Sequence, residues 1–183
     1  MAGQPRKEMA GPRDDTAGQL RGRRVLLRPV VAADVPALRT TLATPEVARW
    51  WGAESDRSGW PWSDDSSVVR YAILVDEHVV GLIQYGEEDE PDYRHASIDI
   101  FLHPHWSGRG LGTDAVATMA RHLVTDRGHH RLTIDPAADN PAAIRCYAKV
   151  GFRPVGVLRR YWRDPDGRWR DSLLMDLLAD ELT

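Results

Sequence analysis

Gly108, Gly110 and Gly112 stand at alternate positions in His105–Thr113 (HWSGRGLGT), between a strand-like apolar run and a run with helical periodicity. Glycines at that spacing let backbone N–H groups turn toward one point. The first amides and the dipole of the following helix add to them, and such a cradle binds an anion, most naturally a diphosphate. The segment lacks the Lys-Ser/Thr ending of a P-loop, and it lacks the glycine spacing and acidic ribose ligand of a dinucleotide fingerprint. Asp99 lies just upstream, within Ile98-Asp99-Ile100-Phe101-Leu102, and in a strand its side chain points opposite Ile98 and Ile100. A carboxylate in an apolar strand is costly unless it is paired or used. It is either half of a salt bridge to an arginine or a seat for a cationic group. Trp50, Trp51, Trp60 and Trp62 are four of the seven tryptophans and fall in one short region. Their faces can stack on sugar rings and attract cations, or cover a second hydrophobic cluster. Cys146 has no histidine at a catalytic spacing, and His103, His105 and the His129-His130 pair form no metal spacing, so they read as surface or loop residues.

These side chains need elements to hold them. Arg24–Val30 reads as a strand. Asp34 caps a helix through Leu42, and Thr44-Pro45 starts a second, short helix through Trp51. A polar, Trp-rich loop runs to about Asp65. Val68–Val75 and Val79–Tyr85 form a hairpin across Asp76–His78, Glu87–Asp92 an acidic loop, and Arg94–Leu102 a strand. Ala115, Val116, Met119, Ala120 and Leu123 recur at helical spacing, and Arg131–Ile134 is a short strand. Asn140 precedes a helix through Val150, closed by Gly151 as a left-handed cap. Phe152–Tyr161 and Trp169–Leu177 form a hairpin around Asp164-Pro165-Asp166-Gly167. The order β, α, α, β, β, β, α, β, α, β, β is an α+β architecture with helices packed on a mixed sheet.

Composition narrows the classes. At 183 residues and 42% hydrophobic, the chain can bury one substantial core. It is read as a disordered leader over residues 1–22, rich in Gly, Pro and charge, and one domain over 23–183. Residues 1–24 carry a net +3 and the whole chain −3, which leaves the remainder at −6. An acidic domain is a poor binder of nucleic acid and a plausible host for a cationic ligand. No stretch approaches the roughly 18 apolar residues of a membrane span. The N-terminus carries basic residues with no apolar segment behind them, and the single cysteine allows no internal disulfide. A cytoplasmic protein, monomer or homodimer, is expected.

The cradle and the segment Asn140–Phe152 (NPAAIRCYAKVGF) together resemble the GNAT acetyltransferases. The first matches the family's Arg/Gln-x-x-Gly-x-Gly/Ala motif, with His105 where Arg or Gln is usual. The second matches Asn-x-x-Ala-x-x-x-Tyr-x-x-x-Gly-Phe. The resemblance covers residues 23–178 and implies the GNAT fold: a mixed, mostly antiparallel sheet of six to seven strands flanked by about four helices. It implies acetyl-coenzyme A as co-substrate, bound by Phe101, Leu102, Ser107, Gly108, Arg109, Gly110, Leu111, Gly112, Thr113, Asn140, Ala143 and Tyr147, with no metal. It further implies Asp99 as the acid that binds the substrate amine or accepts its proton, and Tyr147 as the acid that protonates the leaving thiolate. A carboxylate of ordinary pKa, ~3.9, is a weak base toward an ammonium, which favours positioning. The backbone N–H near Leu102 would hold the oxyanion, where the strand splays so that pantetheine pairs with it and Pro104 interrupts the ladder.

A narrower resemblance concerns the amine. Val47-x-x-Trp50-Trp51-Gly52, Ile98-Asp99, Gly108-x-Gly110-Leu111-Gly112-Thr113, Asp135-Pro136 and Ala143-Ile144-Arg145-Cys146-Tyr147 are similar to the aminoglycoside 6'-N-acetyltransferases. It implies that Trp50, Trp51, Asp99 and Asp135 bind an aminoglycoside through its ring faces and ammonium groups. Glu87–Asp92 either attracts the polycation or is a solvated loop. The segment from Arg159 to Trp169 departs from that pattern. Alternatives are a ribosomal-protein type N-terminal acetyltransferase, an acetyltransferase for hydroxylated lysine in siderophore synthesis, and a non-enzymatic coenzyme A sensor.

Overall fold

The structure, a computed structural model, describes residues 18–51 and 68–182. Gly52, Trp60, Trp62, the rest of the Trp-rich loop and the first 17 residues of the expected leader lie outside them. Eight strands form one sheet in the order β1-β2-β3-β4-β5-β6-β8-β7. They are β1 (Leu20–Arg21), β2 (Leu26–Pro29), β3 (Val68–Val75), β4 (His78–Glu88), β5 (His95–Leu102), β6 (Arg131–Ile134), β7 (Arg153–Arg163) and β8 (Trp169–Leu178). The helices are α1 (Val35–Leu42), α2 (Pro45–Trp51), α3 (Leu111–Thr125) and α4 (Pro141–Ala148). All neighbouring strands run antiparallel except β5 and β6. β1 is the strand beyond the expected seven. Its two residues fall inside the expected leader and pair with Leu26 and Leu27.

The period of two along each strand feeds two cores, one on each face. On β3, Tyr71 and Ile73 pack in the core under α3 and α4, and Ala72 and Leu74 in the core under α1 and α2. On β5, Ala96 and Ile98 join the first core and Phe101 the second. Asp99 therefore shares its face with Phe101, on the α1–α2 side. Proline sets the first turn of both α2 and α4, where the missing N–H costs nothing. Asn140 caps α4 by accepting from the Ala143 N–H at 3.2 Å. Gly151 (φ +115°) then turns the chain so that Phe152 meets Tyr147 edge-on at 6.5 Å.

Two expectations are corrected. Glu87 and Glu88 belong to β4, not to an acidic loop. Glu87 is held by Arg127 at 2.8 Å and by His129 at 2.7 Å, so it is spent on the fold. His129 does lie in the loop between α3 and β6, but at 1% exposure it is not a surface residue. The ion pairs tie the end of α3 to β4, and together they hold the Glu87 carboxyl below its ordinary range against the opposing effect of burial.

Candidate active site

β5 and β6 pair only at Ala96–Ser97 with Leu132–Thr133. Beyond that point they diverge, so among the described residues no strand takes up the β6-side edge of β5 from Ile98 onward. A cavity of about 1060 Å³ fills the split. Backbone groups along that edge are available to an extended ligand.

The glycine loop forms one end of the cavity. Gly108 (φ +74°) and Gly110 (φ +81°) adopt backbone angles that side chains disfavour, and Gly110 directly precedes α3. No atom lies within 4 Å of where a Gly108 Cβ would stand, so the loop is open on that side. Asp114, in the first turn of α3, accepts N–H groups from Arg23, Arg24 and Val25 at 2.7–3.1 Å and anchors the loop to the start of β2. A side chain of Arg24 also reaches the Arg109 carbonyl.

Of the residues expected to bind the coenzyme, Phe101, Leu102, Ser107, Gly108, Gly110, Gly112, Thr113, Asn140, Ala143 and Tyr147 all line the cavity. Leu111 does not: its side chain is in the core under α3. The Arg109 side chain does not either, and its guanidinium lies 5.4 Å from the Trp106 ring centre. Arg109 remains in the loop and Leu111 opens α3, so the backbone of each still lies beside the cradle. Cys146 donates to or accepts from Thr113 at 3.3 Å, and burial pushes its thiol up, which suits a packed and unreactive group.

The opposite end holds the acids and aromatics. Trp50, Trp51, Asp99 and Asp135 line it together. Trp51 packs edge-on against Phe101 at 4.9 Å. Asp99 is exposed to the cleft and accepts from the Gln84 amide at 3.2 Å. Asp135 sits at the end of β6, where burial and then the charge of Asp99 push its carboxyl up to about 6. Tyr147 is 7% exposed, and burial first, then the neighbouring Cys146, Asp99 and Asp135, raise its phenol, so it keeps its proton. Two carboxylates that disfavour each other's charge make a place where a cation is welcome.

Several lining residues were not read from the sequence, Gln84 and Trp162 among them. Gln84 stands directly opposite Asp99 in the β4–β5 register, a relation that pairing alone creates. The only sequence signal was a lone polar residue in Leu82-Ile83-Gln84-Tyr85. Trp162 is brought in by an irregularity of β7 between Leu158 and Trp162. There Arg160 takes φ +51° and donates its N–H to Asp171 at 2.7 Å.

Residues 24–153 match the acetyltransferase (GNAT) domain family. Aminoglycoside N(6')-acetyltransferase type 1 of Klebsiella pneumoniae is 28% identical over 164 residues, covering 78% of this chain and 79% of that one. Spermidine N(1)-acetyltransferase of Escherichia coli (strain K12) is 26% identical over 158 residues, covering 82% and 84%. Among solved structures, RimJ of Mycobacterium smegmatis in complex with CoA-disulfide superposes with a TM-score of 0.77 at 29% identity, covering 90% of this chain and 88% of that one.

Proposed function

The chain belongs to the GNAT acetyltransferase family, and from that premise we propose that it moves the acetyl group of acetyl-coenzyme A to the 6'-amino group of an aminoglycoside, directly, in a ternary complex in the cytoplasm. The observation that carries this reading is the acidic, Trp-walled end of the cleft: Asp99, Asp135, Trp50 and Trp51 facing the same space that the glycine loop opens onto. Carboxylates attract the ammonium groups of the antibiotic and indole faces lie against its rings.

The chemistry follows from the positions. The diphosphate rests on the amides of Ser107–Thr113, and pantetheine lies along the open edge of β5. The amine, seated by Asp99 and Asp135, loses a proton to water and attacks the thioester carbon. A C–N bond forms and the carbonyl oxygen becomes an oxyanion, held by the backbone N–H near Leu102. The C–S bond then breaks, the thiolate takes the proton of Tyr147, and the extra proton on the newly bonded nitrogen passes through water to restore the phenol and leave a neutral amide. Asp99 and Asp135 position the amine. Tyr147, kept protonated by its burial, is the acid.

A second reading, polyamine acetylation, draws on the same acids and on the spermidine-acetylating relative. Mass spectrometry of kanamycin, spermidine and an N-terminal peptide after incubation with acetyl-coenzyme A and the protein separates them. One acetyl group on kanamycin is expected. Acetylation of the peptide alone would overturn the aminoglycoside reading.

A further inference from the structure

One charged side chain from outside the cavity grips the backbone of the glycine loop. Arg24, 85 residues upstream of the loop, donates through Nη1 to the Arg109 carbonyl. The same Nη1 lies 3.7 Å from where a Gly110 Cβ would stand. Arg24 is itself held at its backbone. Asp114, in the first turn of α3, takes the N–H of Arg24 at 2.7 Å, between those of Arg23 at 3.0 Å and Val25 at 3.1 Å. Gly22 lets the chain come that close to α3, because a Cβ there would meet Asp114 Oδ2 at 2.8 Å and Thr118 Oγ1 at 2.7 Å.

The Arg109 carbonyl and the Gly110 N–H belong to one peptide unit. In a planar trans peptide the C=O and the N–H point in opposite directions, so a carbonyl turned to Arg24 turns the N–H away from it. Gly110 lines the cavity, whereas Arg24 and Arg109 do not. Among the described residues no hydrogen bond takes that N–H. Gly110 (φ +81°) has no side chain to oppose rotation of this peptide. A flipped peptide would present an oxygen where an anion needs an N–H. We infer that Arg24 is a positioning residue for the coenzyme: by holding the Arg109 carbonyl it keeps the Gly110 N–H facing the diphosphate, without touching the coenzyme itself. This rests on the coenzyme half of the reading above. A guanidinium suits the task, because its hydrogen bond to a carbonyl is charge-assisted. The segment just before β2 is thereby part of the coenzyme site.

The test compares wild type with Arg24→Met, which removes the donor from an exposed side chain. Thiol release is followed at fixed kanamycin with two acetyl donors: acetyl-coenzyme A, and S-acetylpantetheine, which has the thioester and no diphosphate. Arg24→Met should raise the KM for acetyl-coenzyme A about tenfold and keep kcat within about twofold. Its kcat/KM with S-acetylpantetheine should stay within about twofold of wild type. Equal losses on the two donors, or no loss on either, overturn the proposal. The amide itself is read by nuclear magnetic resonance of nitrogen-15-labelled protein titrated with coenzyme A. The Gly110 amide proton should move downfield in wild type and much less in Arg24→Met at saturation. An undiminished shift in Arg24→Met would mean that the arginine does not set this amide. No shift in wild type overturns the proposal whether or not the variant folds. If wild type binds coenzyme A but releases no thiol with any amine, the acetyl-transfer reading fails instead, and the Gly110 resonance still decides the role of Arg24.

Discussion

Burial and the charge of Asp99 together raise Asp135 to about 6, against an ordinary value of 3.8. The folded chain therefore binds a proton between those values that the unfolded chain has already released. The stability linked to this proton is full below about 3.8 and is lost as pH rises through about 6. Asp135→Asn removes that penalty, and a melting series should show the variant more stable than wild type at pH 7 with the gap closing near pH 4. The same carboxyl must be ionised to hold an ammonium, so the wild-type KM for the amine should rise as pH falls through about 6. In Asp135→Asn that limb of the profile should vanish. In the proposed mechanism Tyr147 serves the other half of the reaction, so Tyr147→Phe should lower kcat by roughly 10²-fold with little change in either KM. A large rise in the KM for acetyl-coenzyme A would mean that Tyr147 serves packing against Phe152 rather than proton donation.

At the scale of elements, the cleft depends on β4 and β5 lying close while β5 and β6 part. Gly81 shows the first requirement, since a Cβ there would meet the Phe101 carbonyl at 2.2 Å and the Leu102 Cα at 2.9 Å. Both contacts are backbone and cannot give way. Gly81→Ala should destabilise the fold by about 2–4 kcal/mol, read from denaturant midpoints, and weaken coenzyme binding with it. Most of the elements were legible. The hairpin β3–β4 shows as apolar runs around Asp76-Glu77, two residues that take positive φ, and α4 shows through Asn140 and Gly151. β1 was not legible, because two residues carry no period. Glu87 and Glu88 read as loop because a charge run at a strand end looks solvated, and only the fold brings Arg127 and His129 to Glu87. Of the site, the glycine loop, Asp99, Asp135 and Tyr147 were legible as motifs. Gln84 and Trp162 were not, because cross-strand register and an irregular strand are tertiary facts.

Across the whole molecule, two cores clamp a sheet from opposite faces, and the cleft opens where the parallel pair β5–β6 stops pairing. No helix among the described residues is long and apolar enough to cross a membrane. The arrangement joins an anion cradle to an acidic, aromatic seat across one split sheet, so coenzyme binding and amine binding should be separable. The measurement that tests this most directly is thiol release by wild type and Asp99→Asn with kanamycin, alongside the affinity of each for acetyl-coenzyme A. Asp99→Asn should lose about 10²-fold or more in kcat/KM while its coenzyme affinity stays within about twofold of wild type. Wild-type turnover retained in Asp99→Asn, or coenzyme affinity lost in step with turnover, would contradict an amine seated by Asp99.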